Sequence, residues 1–532
     1  MKYIFESLNK AKQFIKISDD HIDIKDCLAT GGSFLDLSSS NYGVSIEGEN
    51  LVLLTEIKKT KRKLIETLKT LKDDVLILTD ADFEGERIAF DINEIIKNNC
   101  KVYRSHLKSY TKNNFKKLNI FEYNSSTIEK YNINKILRIQ KIRRIIDRII
   151  GFAISNKLSF QGFLSGAGRS QIALLTAIKN FNLIKVKNSP YYKPLCLHDD
   201  NFESISLSAN YGKYYNLATL TNLLSTARNS KVAYNYLQGL YESGIVTYLR
   251  TDNDKMDVDY AGYLGREIPD DYIIDTNKID GFFPHEGIRF TLDFLDYLCS
   301  IKDEDKILEE LNKTYMENFI YTTDNLSYKF SPDFFDLFRN ISLYSYRSKY
   351  EDLFKINATV KREDNSIPVA NTLFTLENDI DLNEEGRVVI EPIKTEADMI
   401  FAMGVMGTSA PSTYIYTINK LYDKKLLQKT NSREYTLTSD GNQLYDILSD
   451  NINLNKYIST KYKEIIYNGV IENNSDIEIL SNLVDYFGIN ISIKDNKLSD
   501  IDFKKEEFKY NINSVDNYKL KNKTKNNIAV MF

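Results

Sequence analysis

The sequence predicts a multidomain chain of mixed class, with an N-terminal α/β domain, helical segments and two β-rich stretches. Three observations carry this. Residues 75–86, Val-Leu-Ile-Leu-Thr-Asp-Ala-Asp-Phe-Glu-Gly-Glu, run from four apolar residues into an acidic cluster, as a buried strand of a parallel sheet does at its end. From Lys130 to just past Arg148, Ile133, Ile136, Leu137, Ile142, Ile145, Ile146 and Ile149 recur with helical spacing. Tyr191 to Tyr215 alternates with the two-residue period of strands, and residues 327–375 are rich in the Tyr, Phe and Val that strands favour. A chain of 532 residues accommodates about three or four domains.

The first domain is expected over residues 1–124, ending at the Asn-Ser-Ser stretch after Tyr123. It opens with a short apolar strand, Tyr3-Ile4-Phe5, that runs into Glu6, and Lys10 and Lys12 follow on a helix-like segment. Ligands of open α/β sheets collect at the carboxyl ends of strands, so Glu6 and the cluster after Leu78 are expected to share a site. If the chain stays extended, Asp80, Asp82 and Glu84 face the same way. Carboxylates that close repel unless a cation lies between them, and a small all-oxygen set suits Mg²⁺. A lone Asp-x-Asp-x-Glu turn is ordinarily solvated loop; here Gly85 and a helix-like run, Arg87 to Ile96, follow it.

Residues 125–188 are expected to be helical. Lys135, Arg138, Lys141, Arg143, Arg144 and Arg148 give this helix a basic side, on which Asp147 is the only acid after Glu129. Such a face is ordinarily solvated, or it lines a groove that tracks a nucleic-acid strand. The second reading offsets a formal net charge of −4, which is awkward for a phosphate-binding protein. After the break at Asn188-Ser-Pro190 come the β-rich segments 189–215 and 327–375, which flank a helical stretch at 216–326. Residues 376–450 read as helical with a small β element around Arg433 to Leu437, a winged-helix-like unit grouped with 125–188. Residues 451–532 form a C-terminal extension with apolar runs at Ile491–Ile493 and Ile501–Phe503. Its basic tail carries Lys519, Lys521, Lys523 and Lys525.

Within 216–326, Gly-Ile-Val-Thr-Tyr-Leu-Arg-Thr-Asp at 244–252 places Tyr248 two residues before Arg250 on a strand-like run. A phenol with a pKa near 10 is a poor nucleophile unless a neighbour favours phenolate or neutralises the phosphate it attacks. Arginine does both, forking onto two phosphate oxygens. Since the chain has 36 tyrosines, this spacing needs partners elsewhere to carry weight.

Those partners bring a family resemblance. Glu6-Ser-Leu-Asn-Lys10-Ala-Lys and Thr79-Asp80-Ala-Asp82-Phe-Glu84-Gly-Glu86 resemble the two halves of a toprim domain, a Mg²⁺-binding module. Arg143-Arg144-Ile-Ile-Asp147-Arg148-Ile-Ile-Gly151, Ala167-Gly168-Arg169-Ser170-Gln171, Gly244 to Asp252, His285-Glu286-Gly-Ile-Arg289 and Pro411-Ser412-Thr413-Tyr414 resemble, in order, further motifs of type IA DNA topoisomerases. The resemblance implies a toroidal core. Its N-terminal toprim α/β domain is joined by helical domains with winged-helix-like units and by a β-rich arch.

It further implies that Tyr248 attacks one strand of single-stranded or negatively supercoiled DNA without ATP, forming a 5′-phosphotyrosine, and that a second strand passes before religation. The outcome is relaxation or decatenation. Arg250, Glu6, Lys10 and His285 would be catalytic, and Glu6, Asp80, Asp82 and Glu84 would hold Mg²⁺. Arg144, Asp147, Arg148, Arg169, Gln171, Arg289, Ser412 and Thr413 would meet DNA. No Gly-x-x-x-x-Gly-Lys-Ser/Thr loop is present, in keeping with ATP independence.

The chain departs from the family at Phe83 and Ala410, where the family has Arg, and at Gly32-Ser33, where it has Gly-His; each departure removes a DNA contact. Two alternatives therefore stay open: another toprim enzyme, nuclease or primase, or a catalytically weakened DNA-binding relative. Cys27, Cys100, Cys196 and Cys299 show no C-x-x-C spacing, which argues against zinc ribbons and a disulfide scaffold. Neither a secretion signal nor an apolar run of membrane length is present, so a cytoplasmic protein without membrane contact is expected, nucleoid-associated if bacterial. The resemblance implies a monomer.

Overall fold

In a computed structural model, the first strand, Lys2–Phe5, lies inside a five-stranded sheet of order Cys27–Ala29, Lys2–Phe5, Val75–Ile77, Val102–Arg104, Phe121–Glu122. The structure describes residues 1–18, 22–160, 166–186, 194–198, 204–213, 215–227, 229–265, 267–276, 285–300, 337–338, 340–342, 344, 352–361, 366–373, 388–431 and 433–503. The first four strands are parallel, with Lys2 opposite Val75 and Ile4 opposite Ile77, and the last is antiparallel. Phe5 and Ile77 therefore end side by side, and the chain leaves the sheet there into Glu6 and into Thr79-Asp80. The apolar strands are buried on both faces, beneath the helices Leu8–Ile17, Arg62–Thr70 and Phe83–Ile96.

The helix-period pattern is borne out as one long helix, Ile133–Phe160. Ile133, Ile136, Ile142, Ile145, Ile146 and Ile149 are fully buried, each contributing about 1.5–3 kcal/mol relative to exposure. Its polar side is also covered. Arg138 Nε donates to Asp476 Oδ1 at 2.7 Å and Lys141 pairs with Asp476 Oδ2, while Leu51 N donates to the same carboxylate at 3.0 Å. Asp476 opens the helix Asp476–Phe487, within the segment read from sequence as a C-terminal extension. That segment is integral to the core. Its hairpin, Ile489–Lys494 with Lys497–Phe503, pairs its two apolar runs with each other, Ile491 opposite Ile501, and joins Val44–Glu47 and Asn50–Leu53 in a four-stranded sheet through Lys497 opposite Ser45.

Strands Asn182–Val186, Pro194–His198 and Val388–Pro392 form one small sheet, and Ser204–Lys213, Asp352–Lys361 and Ser366–Leu373 another. The β-rich stretches expected at 189–215 and 327–375 thus pair with each other through Ser204–Lys213 and Asp352–Lys361; residues 337–338, 340–342 and 344 are helical instead, because Leu337, Ile341 and Tyr344 recur with helical spacing and are buried on one side, and the basic tail lies outside the described residues. The winged-helix-like reading is matched by helices Glu396–Met406 and Tyr414–Asp423, the hairpin Leu427–Lys429 with Tyr435–Leu437, and helix Ser439–Asn451. Among the described residues no helix is long and apolar enough to cross a membrane.

Candidate active site

Four separate pieces of chain converge where the parallel strands end. Ser7 caps the helix Leu8–Ile17, accepting from Lys10 N, and this aims Lys10 at the neighbouring strand end, where its ammonium pairs with Asp80 Oδ1. Both partners are almost wholly inaccessible, Lys10 at 2% and Asp80 at 1%. Glu6 accepts from Asp80 N at 2.9 Å. Asp82 caps the helix Phe83–Ile96 by accepting from Gly85 N at 2.6 Å. Gly85 has to be glycine, because a Cβ there would lie 2.2 Å from the Asp80 carbonyl oxygen.

That cap overturns one expectation. The extended alternation ends at Asp82, so Glu84 sits in the first helical turn, exposed, accepting from Gln140 Nε2 at 3.2 Å. Capping the free N–H groups of the helix outweighs continued extension. A second expectation also fails: the run around Tyr248 is not a strand. Gly244, at φ +75° with its Cα packed on the Tyr110 carbonyl, turns the chain out of helix Ser230–Glu242. The segment is then held by single bridges such as Val246 to Phe290, and by Thr247 N donating to Arg289 O at 3.0 Å.

This irregular path brings Tyr248 to the acidic cluster. Its hydroxyl donates to Asp82 Oδ2 at 2.6 Å. The ring stacks on His285 at 4.3 Å between centroids and meets Tyr241 edge-on at 5.5 Å. Arg250 Nη1 lies 3.8 Å from Asp80 Oδ2, and its Nε donates to Tyr234 Oη at 3.4 Å. The five residues expected to be catalytic, Tyr248, Arg250, Glu6, Lys10 and His285, thus share one site with Asp80 and Asp82.

Charges in this site are poorly balanced. Burial, then the Asp80 charge, pushes Glu6 up to about 7. Burial also raises the Tyr248 phenol well above its usual range, with Asp82 adding to it, so the phenol is protonated at rest. Burial works against the Asp80 charge, but Lys10 and Arg250 outweigh it and lower its pKa. Burial lowers His285 to about 4, leaving it neutral near pH 7. Asp80 Oδ2 is buried without a hydrogen bond.

Crowded carboxylates with an unsatisfied oxygen fit a hard divalent cation. Glu6, Asp80 and Asp82 would hold it, with Glu84 at the rim. Among the described residues no three such groups form a ready cage. Mg²⁺ does not require one, since it is commonly held by one or two carboxylates, waters and substrate phosphate.

Several of the residues expected to meet DNA are already engaged within the protein. Arg169 donates from Nε to Asp147 Oδ1 at 2.7 Å and from Nη1 to the Thr408 carbonyl, and its guanidinium lies 4.1 Å over the Tyr462 ring. Gln171 Oε1 accepts from Gly168 N at 3.1 Å. Arg289 forks onto Glu286 at 2.8 and 3.0 Å and is buried, which makes it a brace for the His285 loop. Arg148 donates to Ser38 O at 3.1 Å, and Arg144 lies 3.8 Å from Asp36. Ser412 is exposed, while Thr413 Oγ1 donates to Ala410 O at 2.8 Å. Tyr414 donates to Asp252, two residues beyond Arg250, and so links this loop to the Tyr248 segment.

Sequence reasoning missed the support beneath Asp80. Glu86 is fully buried and accepts from Arg104 Nε at 3.2 Å and Nη2 at 3.1 Å, from His106 Nε2 at 2.9 Å and from Tyr123 Oη at 2.7 Å. Arg104 also donates to the carbonyls of Ile77, Thr79 and Asp80 at 3.1–3.3 Å, fixing the strand end. Glu86 is the one acid of that element to which the resemblance gives no role, and this is the only signal it carries.

Residues 3–109 match the Toprim domain. The chain is 24% identical to DNA topoisomerase 1 of Thermotoga maritima over 87% of its own length and 79% of that protein. It is 27% identical to the Aquifex aeolicus DNA topoisomerase 1, over 51% of this chain and 57% of that one. With reverse gyrase 1 of Sulfurisphaera tokodaii it shares 24% identity, covering 82% of this chain and 42% of the relative. A solved structure of full-length topoisomerase I from Thermotoga maritima aligns with 95% of this chain and 98% of its own, with a TM-score of 0.55 and 19% identity. The N-terminal part is thus a toprim α/β domain, and the multidomain fold is that of topoisomerase I.

Proposed function

We infer that this homologue of bacterial topoisomerase I is a type IA DNA topoisomerase, which breaks one DNA strand transiently on Tyr248. The observation that carries the reading is the placement of the Tyr248 hydroxyl, 2.6 Å from Asp82, among Lys10, Asp80 and Arg250 at the end of the toprim strands. The phenolic oxygen bonds to phosphorus while the bond from phosphorus to the 3′ oxygen breaks, and the phenol proton passes to solvent water as this happens. Arg250 lies where it can offset charge developing on the phosphate. Glu6, half protonated near neutrality, supplies a proton to the departing 3′ oxygen, with Lys10 close to the same position. Neutral His285 holds the phenol ring in place by stacking.

A divalent ion, when bound, supplies charge neutralisation at phosphate and leaving oxygen, and Mg²⁺ is the ion this donor set suits. The bond energy is kept in the phosphotyrosine, so religation needs no ATP. DNA contacts are assigned to Arg144, Asp147, Arg148, Arg169, Gln171, Ser412 and Thr413, with Arg289 acting through Glu286. The test is incubation with end-labelled single-stranded DNA, with and without Mg²⁺, followed by denaturation. We expect a covalent adduct, absent in Tyr248→Phe. No adduct together with no relaxation of negatively supercoiled plasmid would sink the reading, and cutting by Tyr248→Phe would transfer it to a toprim nuclease.

A further inference from the structure

We propose that the Tyr248 hydroxyl and a divalent cation compete for Asp82, so that occupancy of the acidic cluster releases the nucleophile from a parked position. This rests on the function proposed above and adds a regulatory step to the same site. The hydroxyl donates to Asp82 Oδ2 at 2.6 Å while Asp82 Oδ1 accepts from Gly85 N at 2.6 Å, so each oxygen already has a donor. Lys10 likewise occupies one oxygen of Asp80. A phenol directed at a carboxylate is not directed at a phosphate. The ring is held independently, between His285 at 4.3 Å and Tyr241 at 5.5 Å, and the backbone by Thr247 N to Arg289 O at 3.0 Å. Losing the Asp82 contact therefore frees the hydroxyl without displacing the ring.

Because Tyr248→Phe keeps the ring and removes only the competing donor, it should bind the cation more tightly. A hydrogen bond to a charged acceptor corresponds to roughly a tenfold change in affinity. The test is Mn²⁺ binding to the DNA-free full-length chain, followed through the free-ion electron paramagnetic resonance signal and by calorimetry. Four proteins are compared: wild type, Tyr248→Phe, Asp82→Asn and the double variant, which together isolate the pairwise coupling. We expect Tyr248→Phe to bind about tenfold more tightly than wild type, and this gain to vanish in the Asp82→Asn background. Equal affinity of wild type and Tyr248→Phe would overturn the competition while leaving covalent catalysis by Tyr248 intact. A gain confined to the proteins that keep Asp82 supports it, and a gain equally present beside Asp82→Asn overturns it. If none of the four proteins binds Mn²⁺ at millimolar concentration, competition falls together with the metal assignment, whereas the adduct assay still judges the strand-breaking reading by itself.

Discussion

Two buried carboxylate clusters flank one strand-to-helix junction, and they are built on opposite principles. Around Glu86 every acceptor is matched: Arg104, His106 and Tyr123 all donate to it, and although burial opposes its charge, Arg104 first among these partners holds it down at about 2. Around Asp80, six residues earlier, one oxygen has no hydrogen bond, Glu6 is pushed up to about 7 by burial and by Asp80, and the phenol of Tyr248 is held protonated. A satisfied cluster stabilises a fold. An unsatisfied one has free energy available for a cation or a phosphate, which is why it, and not the larger network, is the candidate for chemistry.

The contrast breaks most forcefully at Glu86. Glu86→Ala leaves the Arg104 guanidinium buried and unpaired and should cost about 3–5 kcal/mol in urea unfolding. A cost under about 1 kcal/mol would mean that the network is not structural. Arg250→Ala should do the reverse, leaving the unfolding midpoint nearly unchanged while lowering cleavage about 10²–10³-fold in single-turnover assays.

Acid should reveal the satisfied cluster next. Burial, then the Arg104 charge, lowers His106 to about 4, whereas an unfolded histidine takes up a proton near 6.5. Its neutral form is the folded form, so this stability is complete above pH 6.5 and is lost as pH falls towards 4, by about 3 kcal/mol at most. Glu86, with its pKa below the ordinary 4.5, extends the loss from there towards pH 2. Denaturation midpoints measured between pH 7 and 4 should fall, and His106→Gln should flatten that slope.

The last effect, of opposite sign, belongs to Glu6. Its folded pKa lies above the ordinary 4.5, so its contribution is complete below that value and is lost as pH rises through about 7. Glu6→Gln removes that cost, so the variant should match wild type below about pH 5 and exceed it in stability above pH 7, by about 3 kcal/mol at most. Thermal unfolding at pH 8 checks this, and a large destabilisation would place Glu6 with the structural cluster.

Local pattern and short motifs sufficed for much of this molecule. The strand-end acids at Glu6 and Asp80, the isoleucine stripe of the long helix and the pairing of Tyr248 with Arg250 are properties of neighbouring residues, and periodicity reads those directly. What lay beyond reach depends on partners far away in the chain. Arg138 and Lys141 read as a basic face from sequence, yet Asp476, more than three hundred residues later, pairs with both. Glu84 left the expected row because capping by Asp82 won over extension, and Tyr248 left its expected strand because Gly244 turns the backbone against Tyr110. The sequence by itself thus determined which side chains are candidates for the chemistry, since their types and spacing are local. Only the tertiary structure decided which charges are satisfied and which are left available, because that balance is struck between residues that lie far apart in the chain and meet only on folding.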